Sequence, residues 1–278
     1  MKFSNINIII IFFLLILYVV YFRMFYSNVE LFDIVNNIDF YVITMGIDKS
    51  RLQNIKFQIE KQIFVMDYDD NKNNKNNKFS FSIETVDAVV GKNLNLQELI
   101  DKHIITDTIF DGIEDHDDVK TNSNNIEAFG RNVTVRKNEL GCYLSHLKTY
   151  DIIKFKNKQG YSVILEDDFE LTSDFIYTLE ETLTKLKDID FDFLFLGILG
   201  YNGNNIIDNV YEAIPGSFQT HGYLVKNANI DKIIEKLKFV DEIIDVQIFK
   251  KGGNKELNVL RIDPVIVNQD KFGTEIRV

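Results

Sequence analysis

Three consecutive acids, Glu166, Asp167 and Asp168, follow the apolar run Tyr161-Ser-Val-Ile-Leu165. The run belongs in a core, so the acids stand where core gives way to surface. Neighbouring carboxylates repel, and in a partly desolvated crevice at least one takes up a proton unless a cation compensates. Hard oxygen donors of this kind suit manganese or magnesium, whereas thiolate metals want sulfur. A solvated acidic turn is the plainer reading of the same residues. Context has to separate the two.

Ser145-His146 invites comparison with a hydrolytic nucleophile and its base. Both fall in a segment of helical spacing, where adjacent side chains point about 100° apart. They cannot form a working pair. With one Cys and four His in 278 residues, a structural zinc site is not expected, and Cys142 has no partner for an intrachain disulfide. Acids outnumber bases by 42 to 31, a formal charge of −11. Such a surface does not attract nucleic acid, which needs clustered Lys and Arg. An anionic small substrate would arrive with a metal.

The elements that must position these residues can be read from the pattern. Ile38-Asp-Phe-Tyr-Val-Ile-Thr44 reads as a buried strand, and Arg51 to Phe64 as a helix with Leu52, Ile55, Ile59 and Ile63 on one face. A second strand is expected over Phe79–Thr85. A helix begins near Asn138, with Leu140, Tyr143, Leu144, Leu147 and Tyr150 forming its apolar stripe. Tyr161–Leu165, Phe191–Leu196 (stopped by Gly197) and Gln219–Val225 read as further strands. Ile230–Leu237 and Glu242–Lys250 read as helices, and Leu257–Val267 as a last strand. Strands alternating with helices imply an α/β fold with a mostly parallel, doubly wound sheet flanked by helices, whose ligands lie beyond the strands' C-terminal ends. The three acids sit at such an end.

Phe3 to Phe22 carries no charge. About twenty apolar residues span a bilayer as a helix, and no small-residue cleavage site follows. Residues 1–23 are therefore expected to be one uncleaved membrane anchor and 24–37 a stem, with Lys2 and Arg23 leaving the orientation open. The soluble domain, 38–278, faces a lumen or another membrane face. Polar insertions are expected near 67–78 and 101–135. Asn132-Val-Thr134 is a glycosylation sequon, usable only if this face enters a secretory lumen.

The motifs occur together in a recognisable order. Glu139-Leu-Gly-Cys-Tyr-Leu-Ser-His146 followed by Val163-Ile-Leu-Glu-Asp-Asp168 resembles the signature of glycosyltransferase family 25. Phe40-Tyr-Val-Ile-Thr44 with Arg51, Val86-Asp-Ala-Val-Val-Gly91, Phe193-Leu-Phe-Leu-Gly197, Thr220-His-Gly-Tyr223 and Pro264-Val-Ile-Val-Asn-Gln269 with Phe272 and Ile276 are similar to its other segments. The likeness covers roughly residues 38–278. Two departures are Ala88-Val-Val90 where the family has a tighter aspartate–glycine turn, and Gly222 where it often has Ala.

The resemblance implies a GT-A type fold and a metal-dependent, inverting transfer of galactose or glucose from a UDP-sugar to a glycan, a lipid-linked saccharide or hydroxylysine. Under it, Asp167, Asp168 and His221 hold Mn2+ or Mg2+. Arg51, Asp87, His146, Glu166 and Asp167 contact the donor, and Asp245 in Ile243-Ile-Asp-Val246 is the base. For most of these a structural role is the alternative: a buried, satisfied His146, a hydrogen-bonding His221, an exposed Arg51. Asp241 rivals Asp245, with helix capping as its own plainer role. A non-catalytic family member serving as an adhesion or scaffold module, and a metal-dependent phosphohydrolase using the same acids, are the other functions the sequence allows.

Overall fold

The computed structural model describes residues 37–46, 53–62, 80–106, 133–156 and 159–269. The expected anchor, the expected stem except Asn37, Arg51, the insertion at 67–78, residues 107–132 of the second insertion with Asn132, Phe272 and Ile276 lie outside them. Among the described residues no helix is long and apolar enough to cross a membrane.

The chain builds an eight-stranded sheet in the order β2 (Ser80–Asp87), β1 (Asn37–Thr44), β3 (Tyr161–Glu166), β8 (Phe218–Lys226), β5 (Phe193–Leu199), β9 (Val259–Ile262), β7 (Val210–Ala213), β6 (Asn202–Ile207). The short β4 (Phe169–Leu171) and β10 (Val267–Gln269) complete the set of strands. Among the described residues six α-helices accompany them. These are α1 (53–62), α2 (Leu96–Asp101), α3 (Val133–Lys156), α4 (Phe175–Lys185), α5 (Ile230–Leu237) and α6 (Ile244–Gly253).

Alternation along each central strand feeds two cores. Phe40, Val42, Val163, Leu165, Leu194, Leu196 and Leu224 face one side, against Ile55 and Ile59 of α1 and Phe175, Leu179 and Leu183 of α4. Tyr41, Ile43, Ile164, Phe193, Phe195, Tyr223 and Val225 face the other, against Leu140, Tyr143 and Tyr150 of α3, Ile233 and Leu237 of α5, and Phe249 of α6. A strand buried on both faces has to be an unbroken apolar run, which is what Phe193–Leu196 is. Each fully buried phenylalanine contributes about 1.5–3 kcal/mol, and Phe193 and Phe195 are both fully buried.

The sheet is mixed rather than mostly parallel. β1 pairs parallel with β2 and β3, and β5 with β9. β8 runs antiparallel to both of its neighbours, and the β6–β7 hairpin is antiparallel to itself and to β9. A run buried on both faces looks the same in either direction, so the pattern could not reveal the reversal. Three other expectations are also revised. β5 continues through Gly197 to Leu199. The last strand is two, β9 in the large sheet and β10 paired antiparallel with β4, separated at the cis Asp263–Pro264 peptide. The ends of the expected insertion are helical, because Asp101 closes α2 and α3 starts at Val133.

Candidate active site

The strand directions gather one edge. Thr44, Asp87 and Glu166 end or nearly end the three parallel strands, with Thr44 opposite Asp87 and Ile43 opposite Glu166. Because β8 is antiparallel, its N-terminal part, Gln219 to His221, reaches that same edge, and Leu165 pairs with Gly222. The acids then turn into β4, and β10 lies beside β4 with Gln269 opposite Phe169. Every carboxylate of the site therefore lies at a strand or helix terminus, held by a strand arriving from elsewhere in the chain.

Each acid has its own partners. Glu166 accepts a hydrogen bond from the Thr220 hydroxyl at 2.5 Å, and His146 Nε2 stands 3.4 Å from the same oxygen. Burial pushes the Glu166 carboxyl up, but His146 and Thr220 outweigh it and hold the group below the usual glutamate range. Asp167 accepts from the Thr44 hydroxyl at 2.6 Å. Asp168 is buried and accepts from Gln269 Nε2 at 2.8 Å through Oδ2, while its buried Oδ1 has no hydrogen-bond partner among the described residues. Burial, and then the negative charge of Glu166, raise it to about 6.

Asp245 lies in the first turn of α6, and accepts from the Gln219 backbone N–H and the Val246 N–H, both at 2.8 Å. Burial raises this carboxyl above the usual aspartate range, with the two N–H groups opposing and the charge of Glu166 assisting. Asp241 is paired with Lys250 at 3.7 Å instead. Asp87 is exposed at the end of β2, where Lys148 donates to its carbonyl oxygen at 2.7 Å.

The two histidines are set behind the acids. His146 is fully buried, and its Nδ1 shares a 2.7 Å hydrogen bond with the Tyr223 hydroxyl, itself 2.7 Å from the Tyr150 hydroxyl. It has no surface to offer a donor, and its position acts on Glu166 instead. His221 donates from Nε2 to the Val267 carbonyl at 3.2 Å, leaving Nδ1 buried without a hydrogen-bond partner among the described residues. Burial lowers its pKa, so the imidazole is neutral. Only Nδ1 is left as a ligand atom. Ser145 donates to the Gly141 carbonyl and accepts from Val89 N–H, a buried tie that excludes a nucleophilic role. Gly141 lets α3 pack on the loop after β2, since a Cβ there would lie 2.6 Å from the Val89 oxygen.

The donor set fits a hard divalent cation. Asp167 and Asp168 offer carboxylate oxygens, and the partnerless Oδ1 of a buried Asp168 is what such an ion would engage. Cys142, His146 and Glu166 also bring ligand atoms within 4.8 Å of one another. Burial, followed by the charges of Glu166 and other nearby acids, pushes the Cys142 thiol well above its ordinary range. A thiol kept protonated is a poor ligand. The Thr44, Thr220, Gln219 and Gln269 side chains had not been marked out by residue type alone. Thr220 and Gln269 fall in the motif segments, but as a hydroxyl and an amide they carry no chemical signal until the acids they hold are seen.

A layered α/β domain with carboxylates gathered at the C-terminal edge of its parallel strands is consistent with a nucleotide-sugar transferase fold. Residues 37–208 match the sequence model of glycosyltransferase family 25 (LPS biosynthesis protein), and the chain belongs to that family. The acid turn is inside the match; Gln219, His221, Asp245 and Gln269 lie beyond its end. Procollagen galactosyltransferase 1-B of Xenopus laevis is 25% identical over 214 residues, covering 68% of this chain and 32% of that protein. The chain thus spans about a third of the length of this curated relative. Among solved structures, a Bacillus anthracis protein described as a glucose-1-phosphate thymidylyltransferase, in complex with a sucrose, covers 81% of this chain and 85% of its own. Its identity is 12% and its TM-score 0.31, a likeness too low to carry an argument.

Proposed function

We propose that the chain transfers a hexose, galactose or glucose, from a UDP-sugar to a glycan, lipid-linked saccharide or hydroxylysine acceptor, with inversion and with a divalent metal. The observation that supports this best is the acid turn at the sheet edge, where buried Asp168 keeps one oxygen without a hydrogen-bond partner among the described residues and Asp245 is held by the Gln219 N–H at the same end of β8.

Asp167 and Asp168 would hold Mn2+ or Mg2+, with His221 Nδ1 the remaining candidate. When bound, the ion neutralises the diphosphate and stabilises its charge as the sugar leaves. The chain's own residues do the rest. Thr44 and Gln269 orient the two aspartates, and Glu166, fixed by Thr220 and His146, faces the donor. Asp87 and Arg51 contact the nucleotide. Asp245, its carboxylate aimed by two backbone N–H groups, takes the proton from the acceptor hydroxyl as that oxygen attacks the anomeric carbon. Residues 1–23 anchor the domain to a membrane, lumenal or otherwise.

The test is UDP release from UDP-galactose, UDP-glucose and UDP-N-acetylglucosamine, each with and without manganese and with a panel of acceptors. One donor is expected to turn over, EDTA to abolish it, and Asp168→Ala to lower it by more than about 100-fold, the scale of a lost charge-stabilising contact. UMP and a hexose 1-phosphate as the products, in place of UDP and a glycosylated acceptor, would indicate a phosphohydrolase. Unchanged turnover in Asp168→Ala would remove that residue from the metal site.

A further inference from the structure

Asp245 and Asp168 belong to different segments, yet a continuous line of hydrogen bonds joins them. The Gln219 N–H donates to Asp245 Oδ2 at 2.8 Å, the Gln219 Nε2 donates to Gln269 Oε1 at 2.9 Å, and the Gln269 Nε2 donates to Asp168 Oδ2 at 2.8 Å. The direction of the line follows from the chemistry. An ionised carboxylate only accepts, so Gln269 must turn its NH2 to Asp168 and its oxygen to Gln219. A flip of either amide would set oxygen against oxygen.

The backbone is shaped to permit it. Gln219 has φ 84°, a left-handed conformation rare for a residue with a side chain. Strain of this kind persists where the surroundings over-determine it and clusters at functional sites. Here it aims the N–H at Asp245 while the side chain reaches Gln269. Gln269 is itself seated by β10. Val267 packs so closely on Gly222 that a Cβ there would lie 2.6 Å from its Cγ1, a Cβ on Gly197 would meet the Val267 carbonyl, and His221 donates to that carbonyl.

We infer that Gln219 and Gln269 are positioning residues that hold the base Asp245 and the carboxylate Asp168 in one fixed relation, so that the acceptor side and the metal side of the site are set together. This rests on the function proposed above for those two acids. It assigns His221 a second duty, anchoring the strand that carries Gln269.

The test uses the full chain with Gln219→Gly, Gln269→Leu and the pair. Gln219→Gly keeps the N–H to Asp245, removes the side-chain link and relieves the strain of the positive φ, an effect that the single and the double variant share. In metal-free protein, Gln269→Leu is expected to lower Tm by about 2–4 °C, and Gln219→Gly to be less favourable to Tm in wild type than on top of Gln269→Leu, where the link is already gone. Additive shifts would overturn the link whatever else is measured. Manganese affinity is read separately by calorimetry. Gln269→Leu is expected to weaken it about 10–100-fold, as loss of an outer-shell partner does. Gln219→Gly is expected to weaken it as well, although Gln219 touches no proposed ligand; wild-type affinity there would reduce the pair to a structural role and overturn the positioning claim. If wild-type protein binds no manganese while the Tm shifts are non-additive, the link stands and the metal reading falls.

Discussion

Glu166, Asp168 and Asp245 are three carboxylates at one edge in three different environments. Glu166 is held low by His146 and Thr220, Asp168 rises to about 6, and Asp245 is raised by burial against the pull of two N–H groups. Separation of this kind lets neighbouring acids take different roles. A base must be ionised to act, so the acid limb of the kcat/KM profile should lie above the ordinary aspartate range, and Asp245→Asn should abolish the limb along with most of the activity. A limb at or below the ordinary aspartate value would remove the assignment. The stability sign is the reverse of the usual aspartate case. A folded-state pKa above the unfolded one means that the native state binds the proton more tightly. Asp245 therefore contributes less stability as pH climbs from the ordinary aspartate value through its folded pKa. The acids themselves were legible in the sequence, because a triple carboxylate after an apolar run is conspicuous. Their partners were not. Thr220 and Gln219 are everyday strand residues, and only pairing of β8 against β3 and β5 brings them to the acids.

At the scale of elements, glycines decide how closely the pieces of the site approach. Gly141 on α3 leaves room for backbone, and Gly197 on β5 for the His221 ring and the Val267 carbonyl. Gly141→Ala gains about 1 kcal/mol of helix propensity, but its Cβ would lie 2.6 Å from the Val89 oxygen and 2.8 Å from the Gly91 nitrogen, atoms that cannot swing aside. Overpacking costs about 1–3 kcal/mol, so net destabilisation is expected in a urea melt, and a more stable variant would contradict the contact. Gly197→Ala meets the Val267 carbonyl and His221, so it should displace β10 and with it Gln269. Donor turnover should then fall by far more than the folded fraction does. Four of the six described α-helices were readable from periodicity, whereas α2 and α4 were not: Ile230–Leu237 agrees at both ends, and α1 keeps Ile55 and Ile59 buried as its spacing required. The β6–β7 hairpin was not. Asn202-Gly-Asn-Asn205 has low strand propensity, and as an edge strand β6 needs little, since β7 supplies its pairing.

For the whole molecule, charge and topology matter most. A protein of net −11 should repel a free nucleoside diphosphate. Raising ionic strength from about 0.01 M to about 0.15 M shortens the screening length from about 30 Å to about 8 Å. In EDTA, UDP binding should therefore tighten with added salt, and with manganese present this dependence should shrink. Tighter UDP binding at low salt without metal would point to a cationic site instead. By itself the sequence determined the two-sided core, the positions of most helices and strands, and the resemblance to glycosyltransferase family 25, because burial periodicity and local motifs are written in consecutive residues. Only the tertiary structure decided the direction of β8, the split of β9 from β10, and the union of Asp168, Gln269, Gln219 and Asp245. Pairing direction and side-chain hydrogen bonds between distant segments are settled by packing in space, and a linear pattern of polar and apolar residues does not encode which edge a reversed strand will reach.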